Sequence, residues 1–284
     1  MRANWGLILL PSFLIAALML IGPQYVFLHT SFYKDIGVGC FGDALVLDNY
    51  LDAFRDRFYF KSLLTGFWVS INALVIAVAC AYPVAYVLAR MRSRWASAIL
   101  CLIVVSSLIS VTIKVLGLII IFGAEGPLNR LALHLGLVSE RLKFIGTEVG
   151  VVFGLVHYVL GFLILTLYSV IRTIPRSLEE AARIHGASGV GIFLRVVLPL
   201  RLPGVINGSL IVFNLCMGAF VSAAILGGGK VLTLPVIIER TVILESQYAL
   251  GGALSGILLL VVFAINMLAV FLLARSSMLR FSPR

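Results

Sequence analysis

The chain has 284 residues, of which 61% are hydrophobic and only 12% charged, with a mean hydropathy of +1.12. A soluble chain carries about 25% charged residues, so a water-solvated globule is excluded, and disorder, collagen, coiled coil and a small disulfide scaffold fall with it. The net charge of +10 comes from basic residues scattered between apolar stretches. No basic helix or aromatic-interleaved patch is present, which suits topology markers in a membrane protein and argues against nucleic-acid binding.

Crossing the hydrocarbon takes about 20 mostly apolar residues. Six stretches reach that length, at about 5–28, 62–89, 96–123, 149–171, 205–226 and 251–274, within one domain covering 1–284. The first is too long for the 7–15-residue core of a secretory signal and lacks a clean small-x-small cleavage site, so it reads as a retained helix. After it, residues 47–60 interleave Tyr50, Leu51, Phe54 and Tyr59 with Asp52, Arg55 and Asp56, a pattern for an interfacial amphipathic helix. Residues 129–137 repeat that pattern. Cys40 has no obvious partner, and Cys80, Cys101 and Cys216 lie in apolar stretches as small hydrophobes. No Cys or His spacing suits a metal.

Six spans place both ends of the chain on one side. With the N-terminus cytoplasmic, the inner segments hold twelve basic residues and the longer outer ones nine. Arginine and lysine concentrate on the cytoplasmic side, so both termini are expected there.

The longest inner segment, 172–204, reads RTIPRSLEEAARIHGASGVGIFLRVVLPLRLPG. Ile174-Pro175 opens a helix, since proline costs nothing in a first turn. Ser177 and Glu180 have capping-box spacing. Gly186 is placed to end the helix, because glycine accepts the left-handed conformation there. A second helical segment, about 190–197, is expected to stop at Pro199 and Pro203. The expectation is a short helix, a sharp turn and another helix below the membrane.

Glu180-Ala181-Ala182, Gly186-Ala187, Phe193, Leu198-Pro199-Leu200 and Pro203-Gly204 resemble the EAA loop of binding-protein-dependent ABC importer permeases. The spacing EAA-x3-GA followed by LPL-x2-PG is met over about 25 residues, with departures at Ile184 and His185. The resemblance implies an all-α polytopic membrane protein of the type I importer permease fold, with six transmembrane helices and a cytoplasmic coupling helix. In that family the loop seats in a groove of a cytoplasmic ATPase. Glu180, Ala181, Ala182, Gly186, Ala187, Leu198 and Pro199 would then form the coupling surface. Partners implied are an ABC ATPase dimer that binds ATP and Mg, a second permease chain and an external or periplasmic substrate-binding protein. The location implied is the bacterial inner membrane.

Asn49-Tyr50, Glu125-Gly126-Pro127-Leu128-Asn129 and Leu226-Gly227-Gly228-Gly229 look like the spermidine/putrescine-type permeases, which implies polyamine cargo. Similar relatives carry ferric iron, sulfate, molybdate or phosphonates, so an aminophosphonate or one of these solutes is the alternative. The sequence has no GxxxxGK[ST] motif, so this chain is read as non-catalytic, without a cofactor of its own, and ATP hydrolysis is assigned to the partner.

Lys114 is the formal charge deepest in a span, and intramembrane charge is a functional candidate by default. With Asn72 and Asn214 it forms the candidate translocation path, although polar mid-span residues such as these and His157 also serve as helix–helix hydrogen-bond partners. The spans hold no Asp or Glu; Glu239 and Glu245 are the nearest acids before the last span. An intramembrane enzyme lacks its motifs. An ion-driven secondary transporter, the remote alternative, would need midplane ionisable ligands and an internal repeat.

Overall fold

The computed structural model describes residues 5–280, with side chains from Leu10 to Leu273 and at Arg275. The expectation of cytoplasmic termini draws on Arg2 and Arg284, which lie outside the described residues. The chain begins with α1 (Trp5–Thr30), then an antiparallel hairpin of β1 (Tyr33–Gly37) and β2 (Cys40–Leu45), α2 (Asp48–Arg55) and α3 (Arg57–Arg90). Next come α4 (Arg94–Leu108), α5 (Val111–Phe122), α6 (Pro127–His134), α7 (Glu148–Arg172), α8 (Arg176–Ile184) and α9 (Gly189–Ile192). A π-helical turn at Phe193–Val197 leads into α10 (Leu198–Met217), followed by α11 (Val221–Leu226) and α12 (Leu234–Glu239). A second π-helical turn at Arg240–Leu244 precedes α13 (Tyr248–Arg280).

Six helical runs among the described residues are long and apolar enough to cross a membrane: Leu10–Thr30, Arg57–Arg90, Val111–His134, Glu148–Arg172, Gly189–Met217 and Tyr248–Leu273. The expected span 96–123 is two helices. Ile109 is extended (ψ 135°) between α4 and α5, in the serine-rich segment Ser106-Ser107-Leu108-Ile109-Ser110. The Ser107 hydroxyl donates back to the Ile103 carbonyl at 2.8 Å, the kind of local bond that competes with helix continuation.

The described residues group into two compact units. The first unit joins 1–63 to 234–263. The hairpin pairs Tyr33 with Leu45, Asp35 with Phe41 and Gly37 with Cys40, turning through Gly39 at φ +69°. Asn49 donates to the Ser31 and Tyr33 carbonyls at 2.9 and 2.6 Å, and Ser31 and Tyr50 share a hydroxyl bond of 2.7 Å. The Asp35 carboxylate accepts the backbone N–H groups of Ala249 and Leu250 at 3.1–3.2 Å. Those donors belong to the first turn of α13, where helix geometry leaves them unsatisfied and the dipole favours an anion. The expected helix at 47–60 is α2 followed by the start of α3. Between them Asp56 turns extended (ψ 113°), and its carboxylate accepts from the Phe58 N–H at 2.8 Å.

The second unit, 64–233 with 264–284, is built around α7. Val151, Leu155, Val159, Leu163, Leu167 and Ile171 are nearly or fully buried, a four-residue stripe whose neighbours stack on each other while it winds slowly round the helix. α7 packs against α4, α5, α10 and α11. Gly204 and Gly208 on α10 have GxxxG spacing and face α7. A Cβ at Gly204 would meet Val170, and one at Gly208 would meet Thr166. Small residues at this spacing let helices approach closely in lipid, where apolar surface gives no drive of its own. On α3, Ala73, Ala77, Ala81 and Ala85 are fully buried at the same spacing.

Candidate functional site

The segment 172–204 opens where α7 ends. Its first helix begins at Pro175 as cap, with Ser177 inside the first turn and no side-chain capping bond. The Ser177–Glu180 capping box is therefore not formed. The helix entry is held from outside instead, by a 3.4 Å bond from an Arg90 N–H to the Ile174 carbonyl. The C-terminus follows expectation. Gly186 sits at φ +81°, its N–H bonds the Arg183 carbonyl at 2.9 Å, and the Ala187 N–H bonds the Ala182 carbonyl at 3.0 Å. These are the two bonds of a Schellman stop. Open space surrounds the missing Cβ, so the requirement at Gly186 is conformational.

The helix beyond the turn does not stop at the prolines. Ser188 caps α9 through the Gly191 N–H at 3.2 Å, and helix continues through Pro199 and Pro203 to Met217. The π-helical turn accounts for Pro199. Leu198 bonds back to Phe193, five residues earlier, so the chain widens where the Pro199 ring would otherwise strike the preceding turn.

Glu180, Ala181 and Ile184 lie on an exposed face of α8, with Ile184 85% exposed. Val190 and Leu194 add further exposed apolar surface. Ala182 and Ala187 are half-buried, as are Leu198 and Pro199 in the first turn of α10. The residue that sequence reasoning missed is Glu179. It is buried and accepts from Arg90 Nε at 2.7 Å and from the Tyr86 hydroxyl at 3.1 Å. The Arg90–Glu179 ion pair closes to 2.5 Å, its side chains 15% and 7% exposed. Removing one partner of such a buried pair costs on the order of 3–5 kcal/mol, because the other charge is left stranded. The Phe193 ring stands edge-on to Tyr82 and Tyr86, with centroids 4.9 and 5.0 Å away.

The candidate path residues divide. Asn72 spends its amide on the Trp68 carbonyl of its own helix at 2.8 Å. Asn214 forms a reciprocal amide pair with Asn266 of α13, at 3.1 and 2.9 Å, a helix–helix bond whose second member the sequence did not reveal. Lys114 is half-buried on α5, within electrostatic range of His157, and belongs to none of the ion pairs among the described residues. The Gly218–Phe220 break between α10 and α11 borders a cavity of about 320 Å³ lined by Val111, Tyr158, Asn214, Phe220 and Ser222. Asn129 is buried and ties the Gly123 and Leu142 carbonyls at 2.9 and 3.0 Å, so it organises its loop. Glu245 pairs with Arg240 at 3.5 Å on the surface.

A mostly helical membrane protein with a stapled loop bearing the EAA pattern meets its family in the sequence comparison. Residues 81–284 match the family described as binding-protein-dependent transport system inner membrane component. The chain belongs to that family. It is the permease component of an ABC importer, a multi-pass membrane protein and a non-catalytic subunit, ATP hydrolysis being done by a separate ATPase. The permease is 31% identical over 233 residues to the spermidine/putrescine transport system permease protein PotB of Haemophilus influenzae, covering 82% of this chain and 81% of that one. Among solved structures it resembles a bacterial ABC transporter involved in import of the acidic polysaccharide alginate. The TM-score is 0.80 at 17% identity, and the match covers 96% of both chains. It also resembles the bacterial alginate transporter in complex with its pentasaccharide-bound periplasmic protein, with TM-score 0.73, 17% identity and coverage of 94% and 93%. These structural likenesses establish the fold of the permease.

Proposed function

We propose that this permease passes polyamines of the spermidine/putrescine class, received from an external or periplasmic binding protein, through a path formed with a second permease chain. The observation that carries the cargo is the 31% identity to the spermidine/putrescine permease across 82% of the chain. The binding-protein partner is supported by the family description and by the alginate transporter structure that holds its periplasmic protein. The location follows as the bacterial inner membrane. Both termini and the 172–204 segment face the cytoplasm, in keeping with the excess of basic residues on that side.

The segment 172–204 is read as the coupling element. Glu180, Ala181 and the turn at Gly186-Ala187 meet the ATPase dimer, whose subunits hold ATP and Mg. Ala182, Leu198 and Pro199 support that surface from behind. An exposed face mixing a carboxylate, small residues and Ile184 suits a protein groove. The path is proposed to run past Lys114 and Asn214, and Asn72 is the weaker candidate because its amide is already spent within α3. Cargo is selected outside this chain, since the predicted spans hold no acidic residue.

The test is ATP hydrolysis by the reconstituted complex with its binding protein, measured against spermidine, putrescine, ferric iron, sulfate and an aminophosphonate. Stimulation by a polyamine alone is expected. Stimulation by an anion overturns the cargo and makes Lys114 the leading path residue. Glu180→Ala or Gly186→Asp should lower ATPase co-purification or transport with substrate capture unchanged; normal values for both variants overturn the coupling assignment.

A further inference from the structure

Glu179 and Glu180 are adjacent in sequence and differ in everything else. Glu180 is exposed on α8, while Glu179 is the one buried side chain of that helix. A nine-residue helix is too short to hold itself together in water, and α8 buries no apolar residue against a neighbour. Its anchor is a carboxylate.

The anchoring surface is a single face of α3. Tyr82, Tyr86 and Arg90 recur every four residues and so stack along one side of the helix. Arg90 and Tyr86 take the two oxygens of Glu179, at 2.7 Å to Oε1 and 3.1 Å to Oε2. Tyr82 and Tyr86 hold the Phe193 ring. Arg176, at the start of α8, returns a bond of 3.1 Å to the Arg90 carbonyl at the end of α3, where a helix leaves carbonyls unsatisfied. Two arginines thus cross between the same two helices, one reaching out from α3 and one reaching back from α8. A surface ion pair would be screened and would let α8 slide. This pair is largely buried, held by a planar guanidinium, and bonded on both carboxylate oxygens.

We propose that the Arg90–Glu179 pair, gripped by Tyr86, is the joint that delivers displacement of α8 into α3, leaving Glu180 for the ATPase. Glu179 and Arg90 are positioning residues on this assignment, which rests on the reading of 172–204 as the coupling segment. ATP-driven movement of α8 is then obligatorily movement of the α3 end.

The experiment uses the whole importer, purified with its ATPase and binding protein. Spin labels at the exposed positions Ser177 and Met91 report the distance from α8 to the end of α3. In otherwise unaltered protein that distance should stay constant between nucleotide-free and ATP-bound states; a change between them overturns the joint. Glu179→Gln should keep the ATPase bound yet reduce substrate transported per ATP by about 5- to 150-fold, the range of ordinary coupling strengths. The exchanged pair Arg90→Glu/Glu179→Arg should recover most of that loss. Unchanged transport per ATP in Glu179→Gln, a fall that merely tracks loss of bound ATPase, or an assembled exchange variant without recovery overturns the proposal. If unaltered permease captures no ATPase, the coupling reading itself fails, and that result is distinct from all of these.

Discussion

α1 and α7 are nearly equal in length, 26 and 25 residues, and both are apolar enough to cross a bilayer. Yet no residue of Leu10–Thr30 is buried within the chain, whereas 44% of the most apolar stretch of α7 is. Hydropathy, then, decides that a helix enters lipid and says nothing about what it packs against. Packing depends on pattern. α7 carries a four-residue stripe of buried aliphatics and, beside it, Thr166 and Val170 that meet Gly208 and Gly204 of α10, whereas α1 is apolar all round, as a lipid-facing helix is.

Substitutions matched between the two helices can break this contrast. The largest effect is expected for Leu163→Ala, at a fully buried site. It should cost about 2–5 kcal/mol in unfolding experiments in mixed micelles, while Leu18→Ala on α1, 68% exposed, should change stability by well under half of that. Comparable losses at the two sites would show that α1 is packed. Next in size is the added methyl of Gly204→Ala, which meets the branched Val170 and should destabilise by roughly 1–3 kcal/mol. Gly22→Ala on α1 meets nothing and should be neutral or stabilising by up to about 1 kcal/mol from helix propensity. The sign difference is the test, and two changes of the same sign would refute it. The smallest effect is expected for Asn214→Leu, which forfeits the amide pair with Asn266. Polar pairs in membrane helices are worth about 0.6 kcal/mol on average, so a melting shift beyond a few degrees would mean that the pair does more than join two helices.

Much of this organisation was legible in the residues. The apolar stretches located the long helices, and Gly186 announced its turn because only the left-handed region closes α8 there. The EAA spacing carried the family, since it places small residues and a glycine stop at fixed offsets over about 25 residues. What escaped depends on contacts between distant parts of the chain. Arg90 and Glu179 lie 89 residues apart, and Glu179 beside Glu180 offers no local sign of which one turns inward. Pro199 reads as a stop because the widened turn before it has no sequence signature, and Pro203 reads as one although it lies inside α10. The break at Ile109 lacks proline and glycine, so the span read as continuous. The hairpin at Tyr33–Leu45 lies in a stretch broken by Gly37, Gly39 and Gly42, where alternation is weak.

The capping of α13 by Asp35 has a consequence in time. The carboxylate and the amides it satisfies are 214 to 215 residues apart. A ribosome adding about 5–20 residues per second needs on the order of 10–40 s to bridge that gap. Throughout that interval the hairpin's anion has no helix end to hold, and α1 waits in the bilayer beside an unfinished neighbour. Biogenesis of this permease therefore leaves α1 in the keeping of lipid and insertion machinery until the start of α13 has been made.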